Sequence, residues 1–222
     1  MSLLLNIDTS GETAFVCLSE NGIPLATEIS SHQKEHASFL HPAIDKIMIE
    51  KSRTMNDIDG ISVVIGPGSY TGLRVGLASA KGLCYVLNKP LICISALEIL
   101  AFDMIFHKQV EKGDLVCPLI DARRMEVFTS LYDDSLQIIG IPEAKILDEA
   151  SYSDLLSLQR IVFCGSGAPK FKQINSSPNA QFTDTIDLPQ AMSHLSHQYF
   201  EKSLFSDLSM TEPLYIKDYK AY

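Results

Sequence analysis

The stretch VVIGPGSYTGLRVGLASAKGL, Val63 to Leu83, constrains the fold more than any other part of the chain. Five glycines fall in and around a segment that otherwise reads as a helix. Gly72, Gly76 and Ala80 lie four residues apart and share one helical face, a stripe of missing side chains. Each interior glycine costs a helix up to about 1 kcal/mol relative to alanine, so something must compensate. The expected compensation is close approach of another backbone, as small-xxx-small faces allow between helices. The partner on this view is the chain's own helix from about Glu35 to Lys51, or a second polypeptide.

A phosphate cradle is the competing use for bare backbone, and the spacing argues against it. A Walker loop requires G-x4-G-K-[ST], but five residues separate Gly66 from Gly72 and Leu73-Arg74 follows. A dinucleotide fingerprint requires G-x-G-x-x-G with an acidic residue at the end of the next strand. Here the spacing is G-x-G-x-x-x-G and that strand ends Cys93-Ile94-Ser95.

Around this segment the pattern is mixed α/β. LLLNID reads as a buried strand, and TAFVCLSENGIPLATEIS as two more around an Asn21-Gly22 hairpin turn. Ala37, Leu40, Ile44, Ile47 and Met48 recur at helical spacing, with Pro42 in a first turn or bending the helix. GISVVIG suits a strand covered on both faces. PLICIS gives a further strand, and Ser95 with Glu98 forms a capping box for a helix to about Lys108.

A second strand-turn-strand unit opens at DLVCPLIDARRMEVF, and RIVFCGSGA supplies a strand running into a helix. A last helix from Pro189 to about Phe205 buries Met192, Leu195 and Tyr199, and the tail EPLYIKDYKAY is expected to be extended. The repeated opening predicts duplicated lobes, residues 1–108 and 109–222, with the final helix able to pack back on the first.

A net charge of −9 is the opposite of the footprint that a stand-alone nucleic-acid binder requires. The five cysteines contain no CxxC pair, which predicts buried reduced thiols in a cytoplasmic protein. MSLLLNIDTSG has no basic start, and nowhere do about 18 consecutive apolar residues occur, so neither signal peptide nor membrane span is expected.

Four clusters are candidates for chemistry. IDTSGET, with Asp8, Thr9 and Ser10, can present N–H groups and a carboxylate to a phosphate or its Mg²⁺, or be a tight turn built from the same residues. His32, Glu35 and His36 form H-x-x-E-H, a zinc-peptidase spacing, but at a helix entry where capping or solvated histidines are the plainer reading. DARRMEVF places Asp121 at a strand end like Asp8, with Arg123 and Arg124 where a phosphate-hugging turn would use glycine. GSGA at Gly165 to Ala168 lacks the spacing of a nucleophile elbow.

NIDTS, HASFLHPAID, GPGSYTGLRVGLASAKGL, DARRMEVF and EPLYIK occur in the order they take in the TsaB (YeaZ) family, which the chain resembles over nearly its whole length. The resemblance implies an actin/sugar-kinase/Hsp70-like (ASKHA, ribonuclease H-like) α/β fold with mixed sheets flanked by helices. It implies a role in forming N6-threonylcarbamoyladenosine at position 37 of tRNAs decoding ANN codons, as a non-catalytic scaffold for the TsaD transferase, with TsaE as the ATPase and TsaC making threonylcarbamoyl-AMP.

TsaD-type proteins carry a metal-binding His-x-x-x-His after the glycine helix, where this chain has only His107. The implied assignment is therefore no catalytic residue, no metal, a vestigial nucleotide loop at Asp8, Thr9 and Ser10, and ATP or ADP only in the complex. The implied interface, shared by homodimer and TsaD complex, is His36, Leu40, Ile44, Ile47, Tyr70, Gly72, Leu73, Gly76 and Ala80, with tRNA met only through the assembly and no membrane contact. The alternatives are an autonomous ATPase or kinase and, more remotely, a metallopeptidase.

Overall fold

Alternation and turn chemistry in the first thirty residues build an antiparallel meander: β1 (Leu3–Asp8), β2 (Ala14–Glu20) and β3 (Ile23–Ser30). Asn21 and Gly22 both take positive φ, 51° and 81°, as the two-residue hairpin requires. β1 also pairs in parallel with β4 (Gly60–Gly66), and β4 with β5 (Leu91–Ser95), giving the sheet order β3-β2-β1-β4-β5. The computed structural model describes residues 1–32 and 35–217.

Leu5 and Ile7 of β1 turn to one face of this sheet, where they pack with residues of α1 (His36–Glu50) and α2 (Tyr70–Leu87). Each such fully buried aliphatic side chain contributes roughly 1.5–3 kcal/mol. Pro42 lies inside α1 rather than in its first turn. The carbonyl it frees, one turn back on Ser38, belongs to an exposed residue, so the lost bond falls on the solvent side of the helix.

On the opposite face Asn6 is fully buried under the last helix, α6. Its amide donates to Ser19 Oγ at 2.9 Å and its carbonyl accepts from Ser196 Oγ at 2.6 Å. α6 runs Leu188–Glu201, shorter than expected at its C-terminus; Met192 and Leu195 are buried and Tyr199 is partly so.

The second sheet repeats the first. β6 (Leu115–Asp121), β7 (Glu126–Asp133) and β8 (Ile138–Ile146) form an antiparallel meander, and β9 (Ile161–Cys164) and β10 (Ala180–Phe182) extend it in parallel. The order is β10-β9-β6-β7-β8. One face packs α5 (Ala168–Lys172) through a cluster of Phe163, Phe171 and Phe182. The short α4 (Ser153–Leu156) adds Leu156 to that cluster. The other face packs Leu97, Leu100, Ala101 and Met104 of α3 (Ala96–Phe106).

Contacts divide the chain into one unit of residues 1–96 with 189–214, and a second of 97–188 with the described residues from Tyr215 onward. The division thus falls at residue 96 rather than near 108. α3, apolar nearly all round, packs Leu97, Leu100, Ala101 and Met104 on the second sheet, whereas α6 returns to the first. Of the tail expected to be extended, residues 212–217 carry no regular structure and 218–222 lie outside the described residues.

Candidate functional site

β1 ends in Asp8, and the turn after it is pressed against the start of α2. Ser69 N–H donates to the Ser10 carbonyl at 2.7 Å, and Thr9 Oγ1 donates to the Gly72 carbonyl at 2.7 Å. Ser69 also caps α2, its Oγ accepting from Gly72 N–H at 3.3 Å. A Cβ built at Gly72 collides with the Thr9 carbonyl oxygen, and one at Gly76 with Thr9 Oγ1. Glycine therefore serves here to admit the chain's own β1 turn.

For Gly72 and Gly76 this corrects the expectation that the stripe meets another helix, while Ala80 lies in one buried cluster with Leu40, Ala43, Ile44 and Ile47 of α1. Gly72, Leu73, Gly76 and Ala80 on α2 and Leu40, Ile44 and Ile47 on α1 are all buried within the first unit, and no interface residue can be taken from them. His36 is also inward, 3% exposed, with Nε2 against the Glu12 carbonyl at 3.2 Å and Nδ1 without a hydrogen-bond partner among the described residues. Of the nine positions only Tyr70 reaches the surface, half-buried beneath Arg74, whose guanidinium carbon lies 4.0 Å from the ring centroid.

Asp8, Thr9 and Ser10 are brought together, but as an internally bonded turn. Asp8 Oδ1 accepts Ser10 N–H at 2.8 Å. Burial pushes the Asp8 carboxyl above its usual range, and the Ser10 hydrogen bonds and nearby His36 oppose this without cancelling it. An acid with a raised folded pKa is destabilising when ionised. Its contribution is most favourable below the unfolded value of 3.8 and is lost as pH rises through the higher folded value. Asp8→Asn, which keeps an acceptor for Ser10 N–H, is expected to raise the thermal midpoint at pH 7, with the gain shrinking on acidification. Equal midpoints at pH 7 would remove the buried charge from the account.

Among the described residues no set of three or more His, Cys, Asp or Glu is placed to hold a metal ion. His32 is exposed, and Gln33 and Lys34 between it and Glu35 lie outside the described residues. No helix among the described residues is long and apolar enough to cross a membrane.

The outer face of the same two helices carries what spacing alone did not single out. On α2, Thr71, Ala78, Gly82 and Tyr85 fall on one exposed side, with Tyr85 82% and Val86 79% accessible. A Cβ at Gly82 meets nothing within 4 Å. On α1, Ser38, His41, Asp45 and Ile49 face outward, Ile49 at 78% exposure beside an open depression lined by Pro42, Asp45, Lys46, Ile49 and Glu50. His41 Nε2 and Ser79 Oγ, 3.3 Å apart, tie the two helices together. The signal in the sequence was α2 itself: across its eighteen residues only Arg74 and Lys81 are charged, so apolar groups remain after the inward face is filled.

Two mixed five-stranded sheets of the same strand order, each flanked by helices, define the ASKHA class. The inorganic polyphosphate/ATP-glucomannokinase of Arthrobacter sp. strain KM has this fold, with a TM-score of 0.54 over 90% of this chain and 100% of that one at 10% identity. YeaZ from Pseudomonas aeruginosa matches with a TM-score of 0.81 over 97% of this chain and all of that one, at 24% identity.

In sequence, the chain is 35% identical to the tRNA threonylcarbamoyladenosine biosynthesis protein TsaB of Bacillus subtilis over 134 residues, 58% of this chain and 54% of that protein. It is 29% identical to the TsaB of Haemophilus influenzae over 97% of this chain and 93% of that protein. The model of the family described as TsaD, tRNA N6-adenosine threonylcarbamoyltransferase, matches residues 25–214. The chain belongs to this family and, within it, to the TsaB (YeaZ) type. The B. subtilis match spans about half the length of that relative.

Proposed function

We propose that the chain is a non-catalytic subunit of the cytoplasmic machinery that forms N6-threonylcarbamoyladenosine at position 37 of tRNAs decoding ANN codons. It docks and supports the TsaD transferase subunit through the outer face of α1 and α2, with TsaE as a further partner. Alone it self-associates through the same face.

The observation that carries this reading is the exposure of Ile49, Tyr85 and Val86 around the small residues Ala78 and Gly82. Large apolar groups beside side-chain-poor helix surface let a second helix approach closely, and exposed aromatic anchors of this kind dominate binding energy. The closed Asp8 turn supports the absence of independent ATP chemistry, because the Thr9 hydroxyl and the Ser10 carbonyl are already engaged by α2. Nucleotide binding, where it occurs, belongs to the assembled complex.

Tyr85→Glu with Val86→Glu is expected to weaken both self-association and TsaD binding at least tenfold. Both positions are exposed, so the thermal midpoint of the monomer should stay within about 2 °C. Size-exclusion chromatography with and without TsaD, followed by a tRNA modification assay on the mixture, reads the effect. A folded variant that dimerises and binds TsaD as before would sink the assignment of the surface. ATP turnover by the chain alone, abolished by Asp8→Ala, would favour an autonomous ATPase.

A further inference from the structure

The turn joining β6 to β7 holds an arrangement that neither packing nor the proposed docking face uses. Arg123 and Arg124 are consecutive, both exposed, and both left-handed, with φ of 72° and 50°. Such backbone is uncommon for residues other than glycine, asparagine and aspartate and persists only where the surroundings enforce it. The turn is closed by Glu126 N–H to the Arg123 carbonyl at 3.1 Å and Ala122 N–H to the Glu126 carbonyl at 3.0 Å, and Lys170 braces it. Its ammonium, 15% exposed, donates to the Arg124 carbonyl at 2.9 Å and the Glu126 carbonyl at 2.6 Å, and pairs with Asp121 Oδ1 at 3.2 Å. All three ammonium protons are thereby engaged, so Lys170 clamps the turn and is not itself available to a ligand.

The nearby carboxylates are engaged too. Asp121 Oδ1 accepts Arg123 N–H at 2.5 Å besides meeting Lys170, and Glu126 is held by Lys217 Nζ at 2.9 and 2.8 Å. Among the described residues neither guanidinium has a carboxylate partner. A chain of net charge −9 thus presents two consecutive exposed arginines, without a carboxylate partner among the described residues, at the tip of one hairpin.

We propose that Arg123 and Arg124 form a phosphate-contact point, held at the tip of the β6–β7 hairpin by Lys170, that engages the backbone of the tRNA. This rests on the functional reading above. The guanidinium fork matches phosphate oxygens in bidentate geometry, and its reach lets it meet a polyanion from outside, with none of the glycine-lined backbone that a nucleotide cradle uses. Against an acidic chain, two such contacts orient bound RNA without giving the isolated subunit strong affinity for it.

The test uses the complex with TsaD and compares the parent with Arg123→Asn/Arg124→Gly, residues suited to left-handed backbone. The variant should melt a few degrees higher because strain is relieved. It should also bind tRNA roughly tenfold more weakly at about 0.1 M salt, with a salt slope smaller by about 1 to 2. Arg123→Gln/Arg124→Gln removes the charge but keeps long stems, and should show the same loss of affinity and slope.

A parallel measurement of ATP binding separates the two sources of phosphate. Weakened ATP binding with unchanged tRNA binding would overturn the proposal, since the contact would then serve a nucleotide and not the RNA backbone. A parent complex that modifies tRNA, together with variants whose tRNA and ATP binding are unchanged, overturns the proposal alone. A parent mixture that neither binds nor modifies tRNA overturns the functional reading, and the RNA assignment of the tip with it.

Discussion

Gly72→Ala is expected to destabilise the first unit by about 3 kcal/mol or more, although alanine is the better helix former by up to about 1 kcal/mol. The added methyl has nowhere to go. It meets the Thr9 carbonyl oxygen, part of a backbone held to α2 by the Thr9 Oγ1 to Gly72 bond and the Ser69 to Ser10 bond. Ten residues further along the same helix, Gly82→Ala should stabilise by roughly 0.5–1 kcal/mol, because a Cβ there enters open space. Urea denaturation of the two variants beside the parent reads opposite signs for one chemical change. Gly76→Leu should fail to fold, since its side chain would be driven into Thr9, Val63 and Ile7. Parent-like stability of Gly72→Ala would remove the close approach of turn and helix as the reason for the glycines.

Asp103→Ala is expected to destabilise the second unit by about 3 kcal/mol or more. Asp103 is fully buried on α3 and accepts hydrogen bonds from Ile186 N–H at 2.7 Å and Asp187 N–H at 3.1 Å, while His107 Nδ1 lies 3.0 Å from its Oδ1. Truncation leaves two backbone donors without their acceptor and releases the segment that leads into α6. Deuterium exchange should accelerate first at Ile186 and Asp187, before any change in the β-sheet amides. Exchange that stays at parental rates at both positions would show that the carboxylate does not hold this segment.

The second expectation was hard to reach from sequence, because nothing in ALEILAFDMIF distinguishes a buried aspartate from one at the helix surface. The helix is apolar nearly all round, so periodicity assigned it no inner face. It joins the second unit by packing with Val116, Tyr132, Val162 and Cys164, while Asp103 meets Ile186 and Asp187 more than eighty residues away.

The N-terminal meander, the Asn21-Gly22 turn, the glycine-bounded β4 and the duplication of strand-turn-strand units were legible in the sequence, since each rests on local backbone preference and alternation. Local preference also revealed that Gly72, Gly76 and Ala80 share a face lacking side chains. It could not say what approached that face, because a stripe of bare backbone accommodates a neighbouring helix or a β-turn equally well. Only the tertiary structure decided between them: the parallel pairing of β1 with β4 carries the Thr9-Ser10 turn onto the start of α2, and the stripe is filled from within. Which residues of these helices stay exposed was decided in the same way. Residues recurring at helical spacing on α1 and α2 were consumed by the sheet they cover, so the docking face proposed above rests on Ile49, Ala78, Gly82, Tyr85 and Val86, which remain exposed once the core is formed.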